Sequence, residues 1–188
     1  GDPMTCNMKK LMLPDFFQAS EVPIVHKFYR NYFKDCYVCG DVDYIFGPNT
    51  AFFDHCEIHS IARVSEGKAY ITAASTPAGQ EFGLVFSHCR ITGEEPDSVY
   101  LGRPWRDCAK TAFICCELGD HICPEGWQNW GKVRAEVLSD YIEYGNFGPG
   151  ADCSGRSPLS RCLVNPEVET YFSKENVLVG EDGGRPAE

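Results

Sequence analysis

Asp43 and Arg103 are the residues of this sequence whose types could carry out chemistry together. Asp43 lies in the apolar run 42–47, and Arg103 follows sixty residues later, beside Trp105. Apolar surroundings raise the pKa of a carboxylate unless a cation opposes the effect. A guanidinium that binds both oxygens of Asp43 would keep it ionised and hold it for attack on an electrophilic carbon. The competing interpretation is a structural ion pair among core aromatics.

A repeat indicates how a fold could bring these two residues together. The pattern Phe-x-x-Cys-x-aliphatic begins at Phe33, Phe53, Phe86 and Phe113, with unequal spacing. Such spacing suits a solenoid whose coils carry insertions of variable length. Period-two alternation puts Cys and the aliphatic residue on one face and Phe on the other, unless the chain bends between Phe and Cys. Bent coils would stack these side chains in ladders inside a parallel β-helix, and a β-sandwich is the competing architecture.

The best helix signal lies near the C-terminus. Asn165 can cap a helix, Pro166 suits the first helical position, and Glu167 and Glu169 favour the positive end of the helix dipole. The sequence therefore predicts a short C-terminal helix that ends before Gly180.

Composition restricts the class of protein. The chain has 188 residues, 43% of them hydrophobic, and contains no apolar run long enough to cross a membrane. These values predict one domain that is large enough to bury a hydrophobic core. The net charge of -10 argues against nucleic acid as a partner, because phosphate binding needs clustered lysine and arginine.

Eleven cysteines form a high and odd count. The repeat cysteines occupy positions where small apolar residues are expected, so we interpret them as buried thiols. Cys56 and Cys89, on adjacent predicted coils, could form a disulfide in an oxidising compartment, but sequence does not fix connectivity.

Two groups of residues could suggest a metal site. Cys36 and Cys39 resemble half of a zinc ribbon, but a second Cys-x-x-Cys is missing. His55 and His59 should face outward while Cys56 faces inward, so these three would not converge. We therefore expect both groups to be structural.

The stretches around Asp43 and Arg103 resemble the nucleophile and arginine motifs of the pectin methylesterases (pectinesterases), a family of carbohydrate esterases. Supporting stretches follow in the same order as in the family, and the resemblance runs from about residue 28 to about residue 180. The matching stretches are 40–47, 70–76, 101–105, 119–127 and 143–151.

The resemblance implies an all-β fold, a right-handed single-stranded parallel β-helix with a short C-terminal helix. It also implies hydrolysis of the C6 methyl ester of galacturonate in pectin, which yields methanol and pectate without a metal or organic cofactor. Asp43 matches the nucleophile, Arg103 its partner, and Trp105 an aromatic that contacts the sugar. Tyr44 and Phe46 are further candidates for the sugar-binding surface.

The resemblance also implies pectin as the partner, with neither nucleic acid nor membrane, and a secreted or cell-wall location. No signal-peptide pattern begins the chain, so the location follows from the substrate and not from any residue here. The acidic composition suggests that methylated pectin is tolerated better than pectate, an effect that salt would screen.

Departures from the family pattern lie upstream of the nucleophile. Family members carry a Gln-Asp pair on the preceding coil, where Asp protonates the leaving methanol and Gln helps to hold the oxyanion. Asp15 and Gln18 are the nearest substitutes here, but they stand in reverse order beside a proline, which is typical of a loop.

We therefore predict a single pectinesterase-like domain over 1–188 that is incomplete at its N-terminal side. It would comprise a poorly matching segment 1–27, family-like coils over 28–180 and a tail 181–188. An incomplete solenoid exposes strand edges, which would favour self-association.

Two other functions stay open at this stage. The chain could be a non-catalytic carbohydrate-binding β-helix, or an inactive fragment that lacks the general acid. A pectate lyase is a weaker alternative, in which clustered acids such as Asp41 and Asp43 would hold calcium.

Overall fold

The computed structural model describes residues 11–12, 30–63 and 66–179, and short strands are the commonest regular elements in these ranges. The strands are β1 Leu11–Met12, β2 Arg30–Lys34, β3 Tyr37–Gly40, β4 Val42–Gly47, β5 Thr50–Asp54, β6 Glu57–Ser60, β7 Ala69–Ala74, β8 Leu84–Ser87, β9 Arg90–Gly93, β10 Val99–Gly102, β11 Lys110–Ile114, β12 Glu117–Leu118, β13 Asp140–Tyr144 and β14 Ser160–Leu163. The helices are α1 Ala135–Leu138, α2 Glu167–Tyr171 and α3 Lys174–Leu178, with a 3₁₀ turn at Pro149–Ala151.

Three parallel sheets run along the molecule. Sheet A has the order β1-β4-β7-β10, sheet B has β14-β13-β11-β8-β5-β2, and sheet C has β12-β9-β6-β3. From β2 to β12 consecutive strands pass from sheet B to sheet C to sheet A, so each full coil contributes one strand to each sheet, whereas β13 and β14 extend sheet B alone. This arrangement is the predicted parallel β-helix, and the β-sandwich alternative is wrong because its neighbouring strands would be antiparallel.

The repeat phenylalanines form a continuous stack inside the solenoid. Phe33, Phe53, Phe86 and Phe113 stack nearly parallel, with successive ring centroids 4.8, 4.6 and 4.5 Å apart. These separations match the spacing of neighbouring strands, because each ring lies directly above the same ring of the preceding coil. Parallel ladders of cysteine and of aliphatic side chains accompany the stack.

The predicted bend between Phe and Cys is a single residue in the left-handed region. Asp35, His55, His88 and Cys115 have φ values of 52°, 52°, 53° and 53°. This conformation turns the chain from sheet B to sheet C, and it lets Phe and Cys of one repeat both face inward. His55 consequently points outward while its neighbour Cys56 is buried, as predicted.

Sheet B is covered on both faces, which explains why β5 and β8 are buried along most of their length. Its outer face carries a second apolar cluster that includes Phe52, Phe82 and Val85. Val177 and Leu178 of α3 belong to this cluster and close it from the solvent side. The chain thus returns over early coils after the solenoid has been completed.

Glu143 occupies the position in β13 that aligns with Phe113 of β11. The carboxylate is buried, and it accepts hydrogen bonds from Trp127 Nε1 (2.9 Å) and from Ser160 Oγ (2.9 Å). Arg156, whose side chain is only 4% exposed, donates from Nε at 2.9 Å and from Nη2 at 3.0 Å. A fully bonded ion pair therefore follows the last phenylalanine of the stack.

The prediction of buried thiols holds for three of the four repeat cysteines, whereas Cys36 of the first repeat is only partly buried. Cys56, Cys89 and Cys116 are buried thiols, and each donates to a phenylalanine carbonyl of the preceding coil at 3.4 Å. The possible Cys56–Cys89 disulfide is absent, since both thiols are held by these bonds; the described disulfide joins Cys153 and Cys162.

The C-terminal helix is present but interrupted. Asn165 Oδ1 accepts from the backbone N–H of Glu167 at 3.1 Å, as predicted for a cap of α2. Helix α2 ends at Tyr171, and the side chain of Ser173 caps a second helix, α3. No described helix has the length and apolar character needed to cross a membrane.

Candidate active site

Asp43 and Arg103 meet on sheet A. Asp43 lies in β4, Arg103 follows the end of β10, and β7 runs between these two strands. Arg103 Nε donates to Asp43 Oδ1 at 3.0 Å and Nη2 donates to Oδ2 at 2.6 Å. The side chain of Asp43 is 9% exposed and that of Arg103 is 15% exposed, so the predicted bidentate pair is largely shielded from water. Because the pair is largely buried, dissolved salt should screen its electrostatic attraction only weakly. The two hydrogen bonds fix the positions of both carboxylate oxygens.

The backbone at Asp43 is unusual. Its φ is 50°, and the register between β4 and β7 shifts between Val42 and Ile45. Aspartate tolerates this left-handed conformation better than most residues with a Cβ, and a bulge of this kind redirects a side chain. The shift breaks the alternation of the strand, so Tyr44 and Ile45 both enter the core.

Arg103 is held between two aromatic rings. The Cζ atom of its guanidinium lies 3.9 Å from the ring centroid of Tyr70 and 3.9 Å from that of Trp130. Cation–π contact on both faces restricts rotation of the planar group and keeps its donating edge toward Asp43. Trp130 itself has a φ of 55°, an outlying value for a bulky residue that the surrounding structure must hold in place.

Gly102 lets β10 lie against β7 at the site. A Cβ at this position would lie 2.1 Å from Thr72 Oγ1, which donates to the carbonyl of Leu101 at 2.8 Å. The backbone N–H of Arg103 then donates to the carbonyl of Thr72 at 3.0 Å. Close packing of these two strands therefore sets where the arginine side chain begins.

Trp105 provides an apolar surface next to the pair. It is 37% exposed, and it stacks on Phe46 with ring centroids 5.6 Å apart and planes inclined by 19°. Trp130 contacts its edge, with centroids 6.1 Å apart. Lys132 Nζ donates to the carbonyls of Pro104 (2.9 Å) and Trp105 (2.5 Å), which ties the following loop to this segment.

Tyr44 does not belong to this surface, so its predicted contact with sugar is wrong for this structure. The residue is fully buried, and its hydroxyl shares a hydrogen bond of 3.0 Å with Ser60 Oγ. Burial raises its pKa. The reason is the bulge at Asp43, which turns the next side chain into the core.

A cleft of about 460 Å³ lies beside Trp105, and neither Asp43 nor Arg103 lines it. Arg106, Lys132 and Arg134 contribute cationic groups to its lining, together with Asp107. Burial lowers the pKa of Lys132, and neighbouring Arg106 and Arg103 add to the effect. The local charge near the site is thus positive although the whole chain is acidic.

Tyr70 and Trp130 were not identified as site residues from the sequence. Tyr70 lies in the stretch 70–76 that matches the family, so the sequence marked this stretch as family-like. The sequence did not indicate that Tyr70 contacts Arg103. Trp130 belongs to the long connection between β12 and β13, where no periodicity indicates how the chain folds back. Asp15 and Gln18, considered above as substitutes for the missing acid pair, lie outside the described residues, as does the tail 181–188.

Comparison with known proteins gives one consistent result. The chain matches the family model described as Pectinesterase over residues 18–181. It is similar to Pectinesterase 31 of Arabidopsis thaliana, with 40% identity over 141 residues, which cover 74% of this chain and 43% of that protein.

Solved structures agree with the sequence match. The pectin methylesterase from carrot superposes with a TM-score of 0.73 and 30% identity, over 81% of this chain and 51% of that chain. A pectin methylesterase in complex with a hexasaccharide has a TM-score of 0.65 and 27% identity, over 84% of this chain and 53% of that one. The chain thus spans about half the length of the relatives that it matches. It belongs to the pectinesterase family.

Proposed function

We propose that this chain carries the nucleophile of an esterase that demethylates pectin and releases methanol. The observation that carries the proposal is the bidentate Asp43–Arg103 pair, shielded from water and set beside an exposed tryptophan on one sheet of a pectinesterase-family solenoid. Asp43 would be the nucleophile, and Arg103 would keep it ionised and oriented. These roles are proposals.

The reaction follows from the chemistry of a carboxylate nucleophile. One oxygen of Asp43 attacks the carbonyl carbon of the methyl ester, and a tetrahedral intermediate forms. The bond to the methoxy oxygen breaks, methanol leaves with a proton, and an acid anhydride joins Asp43 to the galacturonate. Water then attacks the anhydride, which frees the sugar carboxyl group and restores the carboxylate of Asp43.

Arg103 has a different task in each half of this cycle. Before attack it neutralises and aligns the carboxylate, so little reorganisation is needed when the new bond forms. After attack it lies next to the tetrahedral centre, where charge has moved onto the former carbonyl oxygen, and a fixed cation stabilises such charge. Tyr70 and Trp130 support both tasks because they hold the guanidinium plane.

Methanol needs a proton as it leaves, and a second acid would supply it. Asp15 is the candidate that the sequence offers, and it lies outside the described residues. Loss of a general acid typically lowers a rate by about 10² to 10⁴. The rate of this chain relative to longer family members therefore tests whether it contains a working acid.

Trp105 and Phe46 would bind the sugar. The exposed face of Trp105 would contact the apolar face of a pyranose. Phe46 would contribute to this binding surface by stacking on the indole ring and holding it in place. The partner is pectin, so we propose an extracellular or cell-wall location. The Cys153–Cys162 disulfide supports an oxidising compartment.

The test is methanol release from highly methylated pectin by the purified chain. Asp43→Asn should lower the rate at least about 10³-fold, because the amide is a poor nucleophile. Asp41→Asn is the matched control, since Asp41 is an exposed carboxylate two residues away, and its rate should stay within about twofold. Equal activity of Asp43→Asn and the unaltered chain would contradict the proposed nucleophile.

A second candidate function is carbohydrate binding without catalysis. It is favoured by one observation: Trp105 is an exposed ring stacked on Phe46, a surface that can bind a sugar without any catalytic group. A folded chain that binds methylated pectin oligosaccharides, loses binding with Trp105→Ala and releases no methanol would support this alternative over the esterase.

A further inference from the structure

The left-handed corners place their side chains in a column on the outside of the solenoid. His55, His88 and Cys115 occupy the same corner position in three successive coils. The rings of His55 and His88 stack with centroids 5.2 Å apart and planes inclined by 7°. Cys115 continues the column, so three side chains with metal-binding chemistry are held about one strand spacing apart.

Glu169 of α2 completes a cluster at this column. Its Oε1 lies 3.6 Å from His88 Nε2, and one ligand atom each from His88, Cys115 and Glu169 lie within 4.8 Å of one another. A tetrahedral zinc ion with Zn–N near 2.0 Å and Zn–S near 2.3 Å needs the ligand atoms of this set about 3.3 to 3.5 Å apart. Contraction of about 1 Å, which two exposed side chains can supply, would satisfy that geometry.

Hydrogen bonds already orient both imidazole rings. His88 Nδ1 shares a hydrogen bond of 2.9 Å with Ser87 Oγ, and His55 Nδ1 lies 2.6 Å from Asp54 Oδ1. Asp54 is held in turn by the hydroxyl of Tyr32 at 2.6 Å. Partners of this kind on one ring nitrogen are typical of metal-binding histidines, because they fix the tautomer and direct the other nitrogen to the metal.

We propose that His88, Cys115 and Glu169 bind Zn²⁺ and thereby fasten helix α2 to the corners of two coils, with water as the fourth ligand. Thiolate, carboxylate and Zn²⁺ together are electrically neutral, which suits a half-buried site. Imidazole and thiolate favour zinc over calcium or magnesium. The site is independent of Asp43, so it does not depend on the proposed esterase activity.

Protonation should accompany binding. Burial raises the pKa of the Cys115 thiol, and the carboxylate of Glu169 raises it further. Zinc binds the thiolate, so the Cys115 thiol must give up its proton when the ion binds. Binding should release close to one proton per zinc ion and should weaken as pH falls.

Other groups of potential ligands among the described residues do not compete. Glu143, Cys153 and Cys162 also lie close together. However, the two cysteines are joined in a disulfide and Glu143 is engaged by Arg156. Within the part of the chain that the structure describes, the cluster of His88, Cys115 and Glu169 combines a thiol, an imidazole and a carboxylate that can exchange their present bonds for a metal.

The experiment is titration of the metal-free full chain with Zn²⁺ by calorimetry, and with Co²⁺ by absorption. We expect one zinc ion per chain, and a thiolate-to-cobalt charge-transfer band. Cys115→Ser should remove that band and weaken zinc binding at least about tenfold, and His88→Gln and Glu169→Gln should also weaken it. Cys39→Ser and His59→Gln are matched controls from outside the cluster and should bind as the unaltered chain does.

Absence of stoichiometric zinc binding would overturn the proposal, and so would zinc affinity that survives Cys115→Ser or falls with Cys39→Ser. If Cys115→Ser fails to fold, Glu169→Gln decides the matter, because Glu169 is exposed and its loss leaves the solenoid core intact. Unchanged zinc affinity in that variant would overturn the proposal equally.

Discussion

The buried ion pair of Glu143 and Arg156, which follows the phenylalanine stack, allows the loss of folding stability in a Glu143→Gln variant to be predicted. Glu143→Gln keeps the size of the side chain and one oxygen that can accept from Trp127, but it removes the negative charge opposite Arg156. The new amide N–H groups would face the donors of Arg156, whose side chain is 4% exposed. Breaking a buried pair in this way typically costs about 3 to 5 kcal/mol, because the remaining charge is uncompensated.

Thermal unfolding followed by circular dichroism measures the effect. For a domain of this size, 1 kcal/mol corresponds to about 2 to 4 °C in Tm, so Glu143→Gln should lower Tm by roughly 6 to 20 °C. Glu117→Gln is the control, because Glu117 is an exposed carboxylate on a neighbouring strand and its loss should shift Tm by less than about 2 °C.

A double variant separates the charge from the packing. Glu143→Gln with Arg156→Met removes both charges, so the pair should lose less than the sum of the single variants, by at least about 1 kcal/mol. Additive losses would refute the reasoning, and so would a Glu143→Gln variant as stable as the Glu117→Gln control.

Three further predictions concern the fold. Phe86→Ala should destabilise the chain by about 3 to 5 kcal/mol in urea unfolding, since Phe86 stacks on two rings, whereas exposed Phe147→Ala should cost under about 1 kcal/mol. Burial lowers the pKa of His121 to about 4, so between pH 6.5 and pH 4 the unfolded chain binds a proton that the folded chain excludes, and stability falls with decreasing pH by up to about 3 kcal/mol; His121→Leu should flatten this dependence. Dithiothreitol should lower stability by about 2.5 kcal/mol through the disulfide between Cys153 and Cys162, and should leave a variant with both replaced by serine unchanged.

The fold could be predicted because the Phe-x-x-Cys-x-aliphatic repeat marks equivalent positions in successive coils. Neighbouring coils of a solenoid place corresponding side chains above one another, so the recurrence from Phe33 to Phe113 indicated both the architecture and the bend before each cysteine. The disulfide could not be predicted in the same way, because Cys153 and Cys162 lie outside the repeat and many pairings of eleven cysteines are possible.

The candidate site was only partly available from the sequence. Asp43 and Arg103 could be paired because each lies in a distinctive stretch and a parallel solenoid aligns such stretches on one sheet. The burial of Tyr44 depends on a local bulge, and the position of Trp130 depends on a long connection that returns to Arg103. Neither leaves a periodic pattern, so only the assembled structure gives the two contacts.

The cover that α3 provides for sheet B has a consequence for synthesis. The strands β2, β5 and β8 leave the ribosome well before residues 174–178, which follow every strand of the described residues. Phe52 and Val85 therefore remain exposed on the nascent solenoid until residues 174–178 have been synthesised. During that interval the outer face of sheet B is an apolar surface that chaperones can bind, and faster completion of the chain would shorten the time in which nascent molecules can aggregate.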